Sequence, residues 1–176
     1  MKKMFFYALM ILGFTAMVSC CSKQNGVNAT QKEEVAEAVK AIYDHVFACY
    51  GNGCDSSDVF NHRYLTKEYY HFIDSVAHYD EYADCFDYDH WVMAQDWDQP
   101  KYTLDDVFLS DSLTSRYWAS ITIVNLGKKT AVHLLMMQED GRWKIGEMLN
   151  DDWEPRSEYD HVYWCCRRVE EGNGEE

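Results

Sequence analysis

Four segments with the composition of β-strands follow one another along the second half of the chain, separated by very short turns. They cover residues 102–110, 116–126, 130–138 and 142–149. The second of them, residues 116–126, is rich in Tyr, Trp, Ile, Thr and Val, which are the residues enriched in strands. Asp140-Gly141 is a dipeptide typical of a two-residue hairpin, and a second turn is predicted at Gly127-Lys128-Lys129. The run therefore predicts an antiparallel meander.

Helical spacing of apolar residues precedes the strand run. Thr30 and Glu33 form a capping-box pattern, and the apolar spacing after it predicts an amphipathic helix over residues 31–49. Residues 57–61 indicate a turn or a small helix. Thr66 is placed to cap a second long helix with its own apolar stripe. The N-terminal part of the fold is therefore predicted to be helical.

A last helix is predicted over residues 156–169, where Val162 and Tyr163 continue an apolar stripe. Helices, then antiparallel strands, then a helix argue for an α+β domain with the N-terminal helices packed on one face of a curved antiparallel sheet. We expect a single domain over residues 30–169, followed by a disordered tail over residues 170–176.

The N-terminal segment is predicted to direct export. Two lysines precede an apolar run of about fifteen residues, shorter than the roughly twenty that cross a membrane. This is typical of a secretory signal peptide, here residues 1–19. Ser19-Cys20 resembles the lipobox of bacterial lipoproteins, in which a cysteine after a small residue is lipidated and becomes the new N-terminus. We therefore predict lipidation at Cys20 and a lipidated tether over residues 20–29; a signal peptide cleaved without lipidation is the alternative.

The residues after Cys20 and the overall charge restrict location and partners. No acidic residue directly follows Cys20, so we expect attachment to the outer membrane, with the lipid chains as the anchor. The net charge of −14 repels phosphate backbones and argues against nucleic-acid binding. The same charge is compatible with a cationic ligand, a divalent metal or a basic protein partner. Solubility alone is the simpler explanation of the acidic composition.

Two cysteines bracket a glycine-rich turn at the end of the first predicted helix. Gly51 and Gly53 can adopt the left-handed conformations that end a helix and reverse the chain, which could bring Cys49 and Cys54 together. A disulfide between them is permitted in an exported protein and would mainly pin this turn. A zinc site or a redox dithiol is the alternative, but the spacing matches neither pattern.

The segment over residues 80–100 is acidic, aromatic and aperiodic, and we predict a long loop. Its carboxylates and amide could gather oxygen ligands for Ca²⁺, with Asp87, Asp89, Gln95 and Asp96 as the candidate residues. The spacing lacks the third acidic position and the glycine of an EF-hand. The other interpretation is structural: these side chains hold the loop against the sheet by hydrogen bonds.

The chain resembles exported bacterial proteins catalogued as domain-of-unknown-function family 3828, common among Bacteroides-type lipoproteins. The resemblance covers roughly residues 31–155 and rests on the early helices, the strand meander and three short motifs. These motifs are Asp87-Tyr88-Asp89, Ala94-Gln95-Asp96 before Pro100, and the run from Glu139 to Ile145. It implies a nuclear-transport-factor-2-like, or cystatin-like, fold, in which a curved sheet wraps around helices and encloses a cone-shaped pocket. It implies no activity.

Three functions are compatible with these patterns. A non-catalytic envelope domain that binds a small ligand in a pocket is the first, and a protein-interaction or inhibitor domain with an acidic surface is the second. An enzyme that uses Asp89 or Asp96 with a histidine is the third. The chain contains no nucleophile elbow, metalloprotease motif or phosphate loop, so we predict no catalytic residue, no metal ligand and no cofactor.

Overall fold

The computed structural model of the chain describes residues 29–53, 55–77, 88–111, 115–154 and 156–172. The chain divides into two compact units, Met1–Glu34 and Val35–Glu176. In the first unit the described residues, 29–34, are helical. All elements named below belong to the second unit. Three residues of the predicted sites, Cys20, Cys54 and Asp87, lie outside the described residues.

The second unit has the predicted α+β architecture, with helices before and after an antiparallel sheet. The helices are α1 (residues 35–52), α2 (Ser57–Tyr64), α3 (Lys67–Ala77) and α4 (Glu158–Gly172). The strands are β1 (Lys101–Asp111), β2 (Arg116–Asn125), β3 (Lys128–Glu139) and β4 (Arg142–Asn150). They pair in the order β1-β2-β3-β4, each antiparallel to its neighbour. Among the described residues, no helix has both the length and the apolar character needed to cross a membrane.

Both hairpin turns around β3 consist of two residues with positive φ. Asp140 and Gly141 have φ values of 52° and 73°, as the sequence predicts for a hairpin dipeptide. The other turn consists of Leu126 and Gly127, with φ values of 50° and 81°. The sequence predicts it one residue later, over Gly127, Lys128 and Lys129. Our prediction for the start of β3 was therefore wrong by two residues: β3 starts at Lys128 because a two-residue turn twists the strands correctly.

One face of the sheet forms the core against the helices. Burial alternates along β2 and β3, so that Ile121 and Val132, which are directly paired, both face inward. The predicted stripe of α1 is buried as expected, with Val39 and Val46 completely inaccessible. Each such aliphatic side chain stabilises the fold by about 1.5–3 kcal/mol through removal from water.

The connection between α2 and α3 is joined to β4. The Thr66 hydroxyl accepts a hydrogen bond from the backbone N–H of Tyr69 at 3.3 Å, which confirms the predicted helix cap. The backbone N–H of Thr66 donates to the carbonyl of Ile145 at 2.8 Å, next to a parallel bridge between Leu65 and Ile145. This link fixes the helical corner beside the β3–β4 hairpin.

The buried face of α4 differs from the predicted one. Val162 is buried as expected, but Tyr163 is 64% exposed and does not belong to the stripe. The residue one turn before Val162 is Glu158, whose side chain is completely inaccessible. The apolar face of α4 therefore begins with a carboxylic acid, which must find its partners inside the protein.

Candidate functional site

A buried polar cluster surrounds Glu158, and we define it by its residues Asn61, Tyr69, Tyr88, His90 and Glu158. The Tyr88 hydroxyl donates to Glu158 Oε1 at 2.7 Å, and the Tyr69 hydroxyl donates to Glu158 Oε2. The cluster joins α2, α3, the loop before β1, and α4. Tertiary packing thus brings a carboxylic acid, two phenols, an amide and an imidazole to one place.

The orientation of His90 follows from its neighbour Asn61. His90 Nε2 lies 2.7 Å from Asn61 Oδ1, and Trp91 Nε1 donates to the same oxygen at 2.9 Å. An amide oxygen only accepts hydrogen bonds, so Nε2 of His90 carries the proton. The other ring nitrogen, Nδ1, is 3.8 Å from Glu158 Oε2.

Burial disfavours the charged forms of Glu158 and His90. Removal from water raises the pKa of Glu158 to about 7, although the hydrogen bonds from the two tyrosines oppose this rise. Removal from water also lowers the pKa of His90 to about 3, so the imidazole is neutral at pH 7. The 3.8 Å contact therefore has the geometry of an ion pair without the charge on histidine that an ion pair requires.

The buried polar cluster contains a carboxylic acid and an imidazole, the groups of an acid–base pair, but a substrate cannot reach either of them. His90 is 3% exposed and Glu158 is completely inaccessible. A general acid or base must come within hydrogen-bond reach of a substrate proton. The arrangement supports packing of four chain segments around one polar centre.

Asp89 organises the loop before β1. Its Oδ2 accepts a hydrogen bond from the Tyr50 hydroxyl at 2.5 Å, and its Oδ1 accepts one from the backbone N–H of Trp91 at 2.9 Å. Its backbone also forms a bridge with Ala94. Burial raises the pKa of Asp89, while these hydrogen bonds oppose the rise. Both carboxylate oxygens are thus engaged with α1 and with the loop itself.

The other described residues of the predicted acidic site, Gln95 and Asp96, are exposed. The carbonyl of Asp96 accepts a hydrogen bond from Asn125 Nδ2 at 2.8 Å, and the backbone N–H of Asp98 donates to Asn125 Oδ1 at 3.2 Å. A side chain at the end of β2 therefore holds the loop against the sheet here. Cation binding by this segment stays a prediction.

Replacing Asp89 by alanine is expected to lower the free energy of unfolding by about 2 kcal/mol, because the Tyr50 hydroxyl and the Trp91 N–H lose their acceptor. Chemical denaturation of the full-length protein measures this change. The control is Asp96→Ala, at an exposed side chain, where a change within about 0.5 kcal/mol is expected. Equal small effects of both substitutions, together with a Ca²⁺-dependent rise in Tm lost in Asp89→Ala, would favour the cation site instead.

Cys49 is disulfide-bonded in the structure. Because Cys54 lies outside the described residues, the pairing of these two cysteines stays a prediction. Ligand atoms of His45, Cys49 and Asp55 lie within 4.8 Å of one another, a grouping that could hold a metal ion if the sulfur were a thiolate. A disulfide sulfur is not a thiolate, so this grouping lacks the ligand that zinc would require.

A surface pocket of about 660 Å³ lies where α2 and α3 approach the β3–β4 hairpin. We define the surface pocket by its lining residues: Asp58, Val59, His62, Arg63, Tyr70, Asp140, Arg142 and Lys144. Its volume is in the range of small-molecule sites. Four of the eight lining side chains are Arg, Lys or His, although the chain as a whole carries a net charge of −14.

Sequence reasoning singles out neither Glu158 nor the surface pocket. An acidic residue in the first turn of a helix is favourable by itself, so the presence of glutamate at position 158 does not indicate burial. Its position four residues before Val162, on the predicted buried face, is the signal that could have found it. The basic residues of the pocket come from two distant segments, residues 62–63 and 142–144, and no local pattern joins them.

In comparisons with known proteins, no family model, no curated protein and no solved structure matches the chain. The resemblance to domain-of-unknown-function family 3828 and to its implied fold therefore stays a prediction. What the structure establishes is an α+β protein with a buried polar cluster and a charged surface pocket.

Proposed function

We propose that the chain is a lipid-anchored protein of the bacterial cell envelope whose folded part binds a small ligand without catalysing a reaction. The signal peptide and Cys20 support export and anchoring, as argued from the sequence. The surface pocket supports ligand binding. The resemblance to family 3828 agrees with an exported domain that has a pocket.

The observation that carries the proposal is the accessibility of polar and apolar groups in the surface pocket. Val59 is 43% exposed there, and Tyr70 is half-buried beside His62, with ring centroids 5.5 Å apart. Accessible apolar surface beside charged side chains gives a small ligand both kinds of contact that binding sites use. The acid–base groups of the buried polar cluster lie inside the protein, and this contrast supports binding over catalysis.

A steric block of the pocket tests the proposal. We would record the Tm of the full-length protein in detergent against four related probes: benzoate, phenyl phosphate, benzyl alcohol and benzylamine. A probe that binds the folded state should raise the Tm by roughly 5–10 °C at a hundred times its Kd. In Val59→Trp, a bulky ring at an exposed lining position should abolish this rise.

The matched control is Leu126→Trp, which adds the same ring at a position that is 63% exposed in the β2–β3 turn. It should leave the Tm shift unchanged. The proposal would be wrong if no probe raised the Tm, or if Val59→Trp and Leu126→Trp responded alike.

A further inference from the structure

We infer that the ligand of the surface pocket is a small organic anion, with a carboxylate or phosphate monoester held by Arg63 and Arg142. This inference rests on the proposed function and names the ligand class. Some charges of the pocket are already compensated inside the protein, and others are left for a ligand.

Two charges of the pocket are compensated by neighbouring side chains. Lys144 Nζ lies 3.1 Å from Glu139 Oε1, and the lysine side chain is only 14% exposed. Asp140 Oδ2 lies 3.0 Å from Lys67 Nζ, and this hydrogen bond lowers the pKa of Asp140. Lys144 and Asp140 therefore contribute little net charge toward a ligand.

Arg63 and Arg142 have no carboxylate within ion-pair distance among the residues that the structure describes. The remaining acidic residue of the lining, Asp58, keeps its negative charge: after burial, it is the largest contribution to the raised pKa of Tyr70. In a chain of net charge −14, two arginines against this one carboxylate leave the lining with a small positive charge, which is concentrated at Arg63 and Arg142.

The helix dipole accounts for only one of these arginines. Arg63 lies in the last turn of α2, where a positive charge is favourable without any ligand. Arg142, the first residue of β4, lies directly across the hairpin from Glu139, whose carboxylate pairs with Lys144 instead. The guanidinium group presents parallel N–H donors that match two oxygens of a carboxylate or a phosphate.

The other lining residues define the rest of the ligand. Val59 and Tyr70 present accessible apolar surface beside the arginines. A free inorganic anion would leave this surface in water, whereas an aromatic or aliphatic group attached to the anion would cover it. The ligand is therefore an organic anion of moderate size and not an inorganic ion.

Calorimetric titration of the full-length protein with the four probes tests the ligand class. Benzoate or phenyl phosphate should bind, and benzyl alcohol and benzylamine should bind at least tenfold more weakly. Arg63→Gln and Arg142→Gln should each weaken anion binding by about tenfold, because each removes a charge-assisted hydrogen bond. A preference for benzoate or for phenyl phosphate identifies the anionic group, and either preference supports the inference.

The control removes the same charge far from the pocket. Lys101→Gln/Lys129→Gln changes two exposed lysines near the β2–β3 turn, which β3 separates from the β3–β4 hairpin by roughly 35 Å. This double variant should bind the anions as tightly as the wild type. If it weakened binding as much as Arg63→Gln/Arg142→Gln, only the overall charge would matter, and the inference would be wrong.

Failure of the inference is distinguishable from failure of the proposed function. If benzyl alcohol or benzylamine bound best, and Val59→Trp blocked that binding, the pocket would still be a ligand site, but not one for anions. If no probe showed binding sensitive to Val59→Trp, both the pocket function and the anion inference would be overturned.

Discussion

Replacing Glu158 by alanine is expected to lower the free energy of unfolding by about 3–5 kcal/mol. The substitution removes the acceptor of two hydroxyl groups, that of Tyr69, which water does not reach, and that of the half-buried Tyr88. It also opens a cavity in the middle of the buried polar cluster. Chemical denaturation of the full-length protein at pH 7, followed by tryptophan fluorescence, measures the loss.

The control for this substitution is Asp160→Ala in the same helical turn. Asp160 is exposed, so its removal should change the free energy of unfolding by less than about 0.5 kcal/mol. A cost of Glu158→Ala as small as that of Asp160→Ala would show that the buried polar cluster does not stabilise the fold. If Glu158→Ala does not fold, Glu158→Gln keeps the side-chain volume and one acceptor oxygen, and it answers the same question.

Glu158→Gln is expected to change the pH dependence of stability. The folded pKa of Glu158, about 7, lies above its ordinary value of 4.5, so the folded state holds the proton more tightly than the unfolded chain does. The stabilisation from this group is therefore fully present below about pH 4.5 and is lost as the pH rises through 7. The difference between the two pKa values corresponds to about 3 kcal/mol.

The measurement is the difference in unfolding free energy between the wild type and Glu158→Gln from pH 4.5 to pH 8. His90 acts in the opposite direction, because its lowered pKa makes stability fall as the pH drops below 6.5. Asp89 is also close enough to influence Glu158. Both groups are present in each protein, so most of their own contribution cancels, and the difference curve reports Glu158 together with its coupling to these two neighbours. A flat difference curve would mean that Glu158 ionises as it does in water.

The buried polar cluster and the surface pocket share two helices, α2 and α3. Neighbouring residues of α2, Asn61 and His62, belong to the cluster and to the pocket respectively. The same holds for Tyr69 and Tyr70 on α3. Because consecutive helical residues point in different directions, each helix connects the buried centre with the pocket wall.

Local sequence patterns determined most of the secondary structure. The composition of residues 116–126 and the dipeptide Asp140-Gly141 predict a strand and a hairpin correctly, because both depend on residues that are close together in the chain. The helix cap at Thr66 was equally predictable. The start of β3 was not predictable in this way. Leucine rarely adopts the positive φ that the turn requires, so the sequence favoured a turn over Gly127, Lys128 and Lys129 instead of Leu126 and Gly127.

Only the tertiary structure decided which charged residues matter. Glu158 becomes a buried acid because Tyr69 and Tyr88, distant in sequence, meet it when the helices pack on the sheet. Arg63 and Arg142 share a pocket because the α2–α3 corner is joined to β4. Burial and electrostatic environment depend on all the groups around a residue in space. The spacing of residues along the chain carries the periodicity of an element but not the identity of its distant neighbours.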